Sequence, residues 1–147
     1  MNPNYKFYSN KNVTDIKPVD ENFKFIENPF DLYNILLEKG WAKDTCAPRM
    51  RIDYENCHKT LGQCSITSFL VQDIFGGEVY GVPLGDGNFH CFNKINDVIF
   101  DLTSEQFSEK GIILDYSLDY PQKREIHFSK EEKYHRYLLL KSRLLNH

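Results

Sequence analysis

The sequence predicts an α+β domain: a small antiparallel sheet packed by a central helix and a C-terminal helix. Three observations point there. One strongly apolar segment, Cys64 to Phe75, has helical periodicity and ends at Gly76-Gly77. Two β-rich runs, Asn88–Ile95 and Val98–Thr103, flank an Asn-Asp pair. An amphipathic stretch, Ser129 to Leu145, stands near the C-terminus.

With 147 residues the chain fits one domain with a single substantial core. Residues 1–27 are polar and aromatic without sustained period, which predicts an extended, partly ordered N-terminal arm; residues 28–147 form the domain. In "NPFDLYNILLEKGW", Leu32, Ile35 and Leu36 share a face, Asp31 is placed to cap the start, and Gly40 to end the helix in a left-handed conformation. The connection from Trp41 to Gly62 is long for a compact domain, so it is a functional loop or carries short structure of its own.

On the central helix Ile66, Leu70 and Ile74 form one row and Thr67, Val71 and Phe75 a second, so it is buried on several sides. "EVYGVPL" (78–84) reads as a strand whose Gly81 and Pro83 suit an edge or a bend. Asn96-Asp97 predicts a two-residue hairpin that sets Ile95 opposite Val98. "GIILDY" (111–116) is a further candidate strand. The C-terminal helix spans 129–145, with Ser129 and Glu132 fitting a capping box and Tyr137, Leu138, Leu140, Leu144 and Leu145 directed inward.

A hydrophobic fraction of 41% with 11 Phe and 9 Tyr excludes a disordered chain. The formal charge of −3 and the absence of a basic tract argue against nucleic acid or an anionic membrane as partner. No apolar run is long enough to span a bilayer, and "MNPNYKFYSNKN" has no apolar signal region, so a cytoplasmic location with reduced cysteines is expected.

The chemistry concentrates on three residues. A thiol becomes nucleophilic as the thiolate, and the free N–H groups and dipole of a helix N-terminus stabilise that anion. Cys64 follows Gly62-Gln63 at such a start. In the predicted register His90 and Asp101 are diagonal neighbours on one sheet face, a spacing that suits a carboxylate orienting an imidazole. Cys91, Ile95, Val98, Phe100 and Leu102 then share the opposite, apolar face. Asn93 also points away from His90, which ranks Asp101 above it as the orienting group.

Each residue taken alone has a structural explanation: a buried small thiol, a satisfied histidine, a strand-end carboxylate. Gln63 is a candidate for an oxyanion donor or for a plain hydrogen bond within the loop, Trp41 for a core residue first and a cleft wall second, and His58 for an approach from the preceding loop. A zinc site assembled from Cys57, His58, Cys64, His90 and Cys91 is chemically feasible, but the spacing matches no zinc pattern and no C-x-x-C occurs. Neither a metal nor a cofactor is expected.

The segments "GWAKDT" (40–45), "LGQCSITSFLVQDIFGGEVY" (61–80), "HCFN" (90–93) and "DLTSEQF" (101–107) resemble the YunG-like family of small bacterial proteins. The resemblance implies an overall shape of the papain and transglutaminase class, with Cys64 as nucleophile, His90 as base and Asp101 as orienting carboxylate. Cys91 and Phe92 stand where that pattern has a bulkier aromatic pair. Three readings follow: a cysteine-dependent acyl-transfer enzyme acting on a protein, peptide or small amide; a non-catalytic binding module of the same fold; and a structural zinc domain.

Overall fold

The computed structural model describes residues 4–145. Four strands form one antiparallel sheet in the order β1-β4-β3-β2, where β1 is Tyr8–Ser9, β2 Glu78–Pro83, β3 Phe89–Ile95 and β4 Val98–Asp101. Mixed helix and sheet of this kind is the α+β class the patterning predicts.

The hairpin has the expected register: Asn93 pairs with Phe100, Lys94 with Ile99 and Ile95 with Val98. Asn96 supplies the left-handed turn residue at φ 55°, a conformation that asparagine tolerates better than most side chains. Strand β2 lies at the sheet edge, yet its outer side is covered: the N–H of Gly81 donates to Tyr120 O, and that of Gln122 to Val79 O. This contact brings residues 120–122 to the rim of the site described below.

The N-terminal residues, which include a short 3-10 turn at Glu21–Phe23, are built into the same body. Tyr8 pairs with Asp101 and Ser9 with Phe100, while Phe7, Val13, Phe23 and Ile26 are buried in the main core. Few aromatics at irregular spacing carry this anchoring, so no periodicity announces it.

Helix α1 spans Pro29–Ile35. Its cap is Asn28, whose side chain accepts from the Asp31 N–H at 2.9 Å; Asp31 instead accepts from the Glu27 N–H at 2.9 Å. This corrects the expectation of Asp31 as cap. Gly40 is also not left-handed: a wide turn over Leu36–Gly40 follows α1 and closes with the Trp41 N–H on Leu36 O. The connection to Gly62 carries short 3-10 turns at Lys43–Thr45 and Pro48–Asn56.

Helix α2 (Cys64–Phe75) is buried along most of its length and lies against β3 and the C-terminal helix. Short helices α3 (Glu105–Ser108) and α4 (Arg124–Phe128) precede α5 (Glu131–Leu145). The Arg124 guanidinium grips Asp73 of α2 through both carboxylate oxygens, at 2.5 and 3.0 Å, and the Tyr137 hydroxyl bonds the same carboxylate. A two-pronged arginine contact of this sort fixes orientation as well as distance, so α4 and α5 are held at a set angle to α2.

Three local expectations are corrected. Ser129 does not cap α5; its hydroxyl donates to Ile126 O at 2.6 Å and finishes α4, while the helix expected over 129–145 runs unbroken from Glu131 to Leu145. Tyr137, Leu140 and Leu144 are buried, but Leu138 and Leu145 face solvent, because α5 covers the core along one narrow stripe. Residues 111–116 form no strand, and Ile113 is 95% exposed.

Candidate active site

Gly62, at φ +71°, turns the chain into α2; a Cβ there would meet Cys46 Sγ at 2.6 Å and Ala47 N at 2.8 Å. Only glycine fits both the conformation and the space. The next residues start the helix, and the first intrahelical bond runs from the Thr67 N–H to Gln63 O at 3.1 Å. The N–H groups of Cys64, Ser65 and Ile66 therefore lack carbonyl partners within the helix, and Gln63 makes no side-chain cap. Cys64 and Ser65 line a cavity of about 840 Å³, with His90 and Phe89 of β3 and Gln106 and Phe107 of α3 on the same wall.

His90 and Asp101 are each 1% exposed, and His90 Nε2 lies 2.6 Å from Asp101 Oδ2. The carboxylate is itself held in place. Oδ2 accepts from the Tyr116 hydroxyl at 2.8 Å, and Oδ1 from the Thr103 N–H at 3.1 Å and the Thr103 hydroxyl at 3.2 Å. Tyr116 is clamped by stacking on Tyr8, with ring centroids 4.1 Å apart, and by an edge contact with Phe92. Burial, then the Asp101 charge, keeps the Tyr116 hydroxyl protonated. The Phe107 and His90 rings form a T-shaped contact with centroids 4.7 Å apart. With Nε2 on the carboxylate, Nδ1 is the nitrogen left for the sulfur.

The electrostatics of the pair oppose each other in a useful way. The Cys64 thiol is held well below its ordinary value. A hydrogen bond from the Cys91 thiol is the largest cause; burial opposes it, and the charge and hydrogen bond of His90 add to it. For His90, burial favours the neutral ring, but the Asp101 charge, followed by the Cys64 charge, outweighs it and lifts the imidazolium to about 10. Both shifts act in the direction of a thiolate beside an imidazolium. The thiol also lies 3.9 Å from Phe89 O, a weak contact.

The structure brings Cys64, His90 and Asp101 together; it separates the other candidates from them. Gln63 is fully buried, its amide donating to Ala42 O at 2.9 Å and its Oε1 unpartnered, so it does not reach the cavity as an oxyanion donor. Trp41 is a core residue whose indole N–H donates to Thr67 Oγ1 at 2.9 Å. Asn93 is buried with its amide on Ser68 O at 2.9 Å. His58 lies away from the cavity wall, 3.2 Å from Glu105.

Cys57 packs beside Cys46, Tyr54 and Leu61 in a separate small cluster. Among the described residues no group of three or more His, Cys, Asp or Glu side chains is arranged to hold a metal ion, so the five ligands of the zinc reading do not converge. The four cysteines are free thiols. Among the described residues no helix is long and apolar enough to cross a membrane.

Four contributors escape the sequence reading. Thr103 was legible as a residue two beyond Asp101 able to bond its carboxylate. Tyr116 arrives from an irregular segment and Phe107 from the single-turn helix α3. Cys91, expected only to pack, is fully buried in the core and also supports the Cys64 sulfur.

Comparisons with known proteins bear on the family. The uncharacterised YunG protein of Bacillus subtilis strain 168 is 35% identical over 72 residues, which are 49% of this chain and 57% of that protein. The chain thus spans little more than half the length of this relative. No solved structure matches. The YunG protein family profile matches residues 28–147. That stretch contains Cys64, His90 and Asp101, and the chain belongs to the YunG family.

Proposed function

We propose that the protein is a cysteine-dependent acyl-transfer enzyme acting on an amide, isopeptide or thioester carbonyl, with a fold related to the papain and transglutaminase class. The observation that carries this reading is a sulfur on the wall of an 840 Å³ cavity, at an uncapped helix start, beside a carboxylate-held imidazole. A core thiol needs neither the cavity nor the ion pair.

In the proposed sequence the Cys64 thiolate attacks the carbonyl carbon, forming an S–C bond as the carbonyl electrons move to oxygen. The N–H groups at the start of α2 stabilise that oxyanion. Collapse breaks the bond to the leaving amine or thiolate, which takes a proton from His90 and leaves an acyl-thioester on Cys64. Neutral His90 then deprotonates an incoming water or amine, which releases the acyl group. Asp101 holds the imidazole in the orientation both steps need and favours its charged form, with Tyr116 and Thr103 as positioning residues behind it. Water as second nucleophile makes a hydrolase or deamidase; an amine makes a transferase.

The test is to trap the acyl-enzyme. The protein is incubated with a thioester of a small carboxylic acid, quenched in acid and mapped by peptide mass spectrometry. An acyl group on Cys64, lost in Cys64→Ala and not hydrolysed in His90→Ala, is the expected result. No adduct, or equal adducts on Cys46 and Cys57, would leave the binding-module reading in its place.

A further inference from the structure

The chain is acidic overall, with a formal charge of −3, yet the cavity facing Cys64 is not. Its walls carry Arg49, Lys123, Lys130, Lys133 and Arg136 against Asp119 and Glu132. Glu132 pairs with Arg136 at 2.8 Å, which leaves four bases against Asp119. Among the described residues none of Arg49, Lys123, Lys130 or Lys133 forms an ion pair. Cations clustered around a cleft on an otherwise acidic protein focus the field where a ligand enters.

Lys133 is the best defined of them. It is half-buried and its ammonium lies 2.9 Å from His127 Nδ1. His127 is fixed on its other side by Gln122 Oε1 at 2.8 Å. Burial and then the Lys133 charge hold His127 down to about 4, so its ring is neutral; Nε2–H donates to Gln122 and Nδ1 accepts from Lys133. The Lys133 ammonium is therefore oriented rather than free, and it is close enough to the Cys64 sulfur for each to feel the other's charge. Holding a half-desolvated cation with one neutral partner leaves it short of a counter-charge.

We propose that the cavity selects acyl substrates bearing a carboxylate, which pairs with Lys133 in the field of Lys123 and Lys130 while the reacting carbonyl lies over Cys64. This rests on Cys64 being the reacting group. The recognition chemistry is a carboxylate a short chain away from an amide or thioester, whether in a free small molecule or in an acidic peptide.

The experiment compares alkylation of Cys64 by anionic iodoacetate and neutral iodoacetamide, each rate divided by that of glutathione under the same conditions. An iodoacetate preference of at least about tenfold over glutathione is expected, as the combined effect of several cations at partly screened distances. Because His90 also attracts the anion, the lysines are tested directly. The iodoacetate-to-iodoacetamide ratio falls about threefold or more in Lys133→Gln, and by about twofold to fourfold in Lys123→Gln/Lys130→Gln, whose exposed positions keep folding intact. A ratio unchanged in both variants overturns the inference while leaving Cys64 reactivity standing. A Cys64 that reacts no faster than glutathione with either reagent overturns the acyl-transfer reading instead. Protection of Cys64 separates the two sources: succinamate against butyramide for a small acid, and acetyl-Glu-Gln-Glu-amide against acetyl-Ala-Gln-Ala-amide for a peptide. The acidic compound protecting better in either pair names the source; equal protection by the neutral counterparts in both pairs overturns the inference.

Discussion

Replacing Asp101 by asparagine changes one charge and almost no volume, at a position 1% exposed. The structure specifies what that charge does. Burial alone drives His90 toward the neutral ring; the Asp101 charge is the largest influence in the other direction and, together with the Cys64 charge and hydrogen bonds to both groups, carries the imidazolium from 6.5 to about 10. Three to four decades of proton affinity correspond to about 5 kcal/mol in favour of the charged ring. With the carboxylate gone, burial wins, His90 is neutral at pH 7, and Cys64 loses the cation that supports its thiolate. Iodoacetamide alkylation of Cys64, followed by peptide mass spectrometry from pH 5 to pH 10, reads this out. Asp101→Asn is expected to slow labelling by about tenfold to a hundredfold at pH 6–7, with the midpoint moved up toward the ordinary thiol range. Above that range the variant and wild-type rates converge, because any thiol is then ionised. An unaltered profile would refute the electrostatic role, and so would a loss of the same size at every pH.

The remaining predictions use other readouts. Folding raises His90 from 6.5 to about 10, so its stabilisation is complete below pH 6.5 and is lost as pH rises to about 10; the urea midpoint of wild type minus that of Asp101→Asn should therefore shrink across that window. Tyr116→Phe removes one of four contacts on a buried carboxylate and should cost about 1.5–3 kcal/mol in urea unfolding, with slower Cys64 alkylation. Gly62→Ala forces a left-handed alanine onto Cys46 and Ala47 and should destabilise by more than about 1–3 kcal/mol. Trp41→Phe strands the Thr67 hydroxyl in the core at about 1–3 kcal/mol, yet Cys64 labelling should keep its wild-type pH midpoint, since Trp41 is not on the cavity wall.

What the sequence disclosed depended on how local each feature is. The β3–β4 register followed from Asn96-Asp97 because a two-residue turn leaves one pairing, and period two then put His90 and Asp101 on one face. Helix α2 was legible because its two apolar rows and its glycine stop lie within one segment. Tyr116 reaches Asp101 from fifteen residues downstream in an irregular segment, and no pattern in "LDYSLDY" separates it from Tyr120. Gln63 stayed open between an oxyanion donor and a loop contact, and Trp41 between a cleft wall and the core, because position along the chain says nothing about direction. The Gly62 turn sends Gln63 inward to Ala42, and the wide turn before Trp41 sends the indole to Thr67. Arg124 and Lys133 carry their roles only once α4 and α5 are docked on α2, which Asp73 arranges across more than fifty residues of chain.

The central claim is that Cys64 exists as a thiolate at neutral pH. It is tested most directly by the ultraviolet absorbance of the thiolate, titrated as the difference between wild type and Cys64→Ser. A single ionisation well below 9, shifted upward in His90→Ala, is the predicted result. A difference curve that rises only at or above 9, or that is unmoved by His90→Ala, would contradict it.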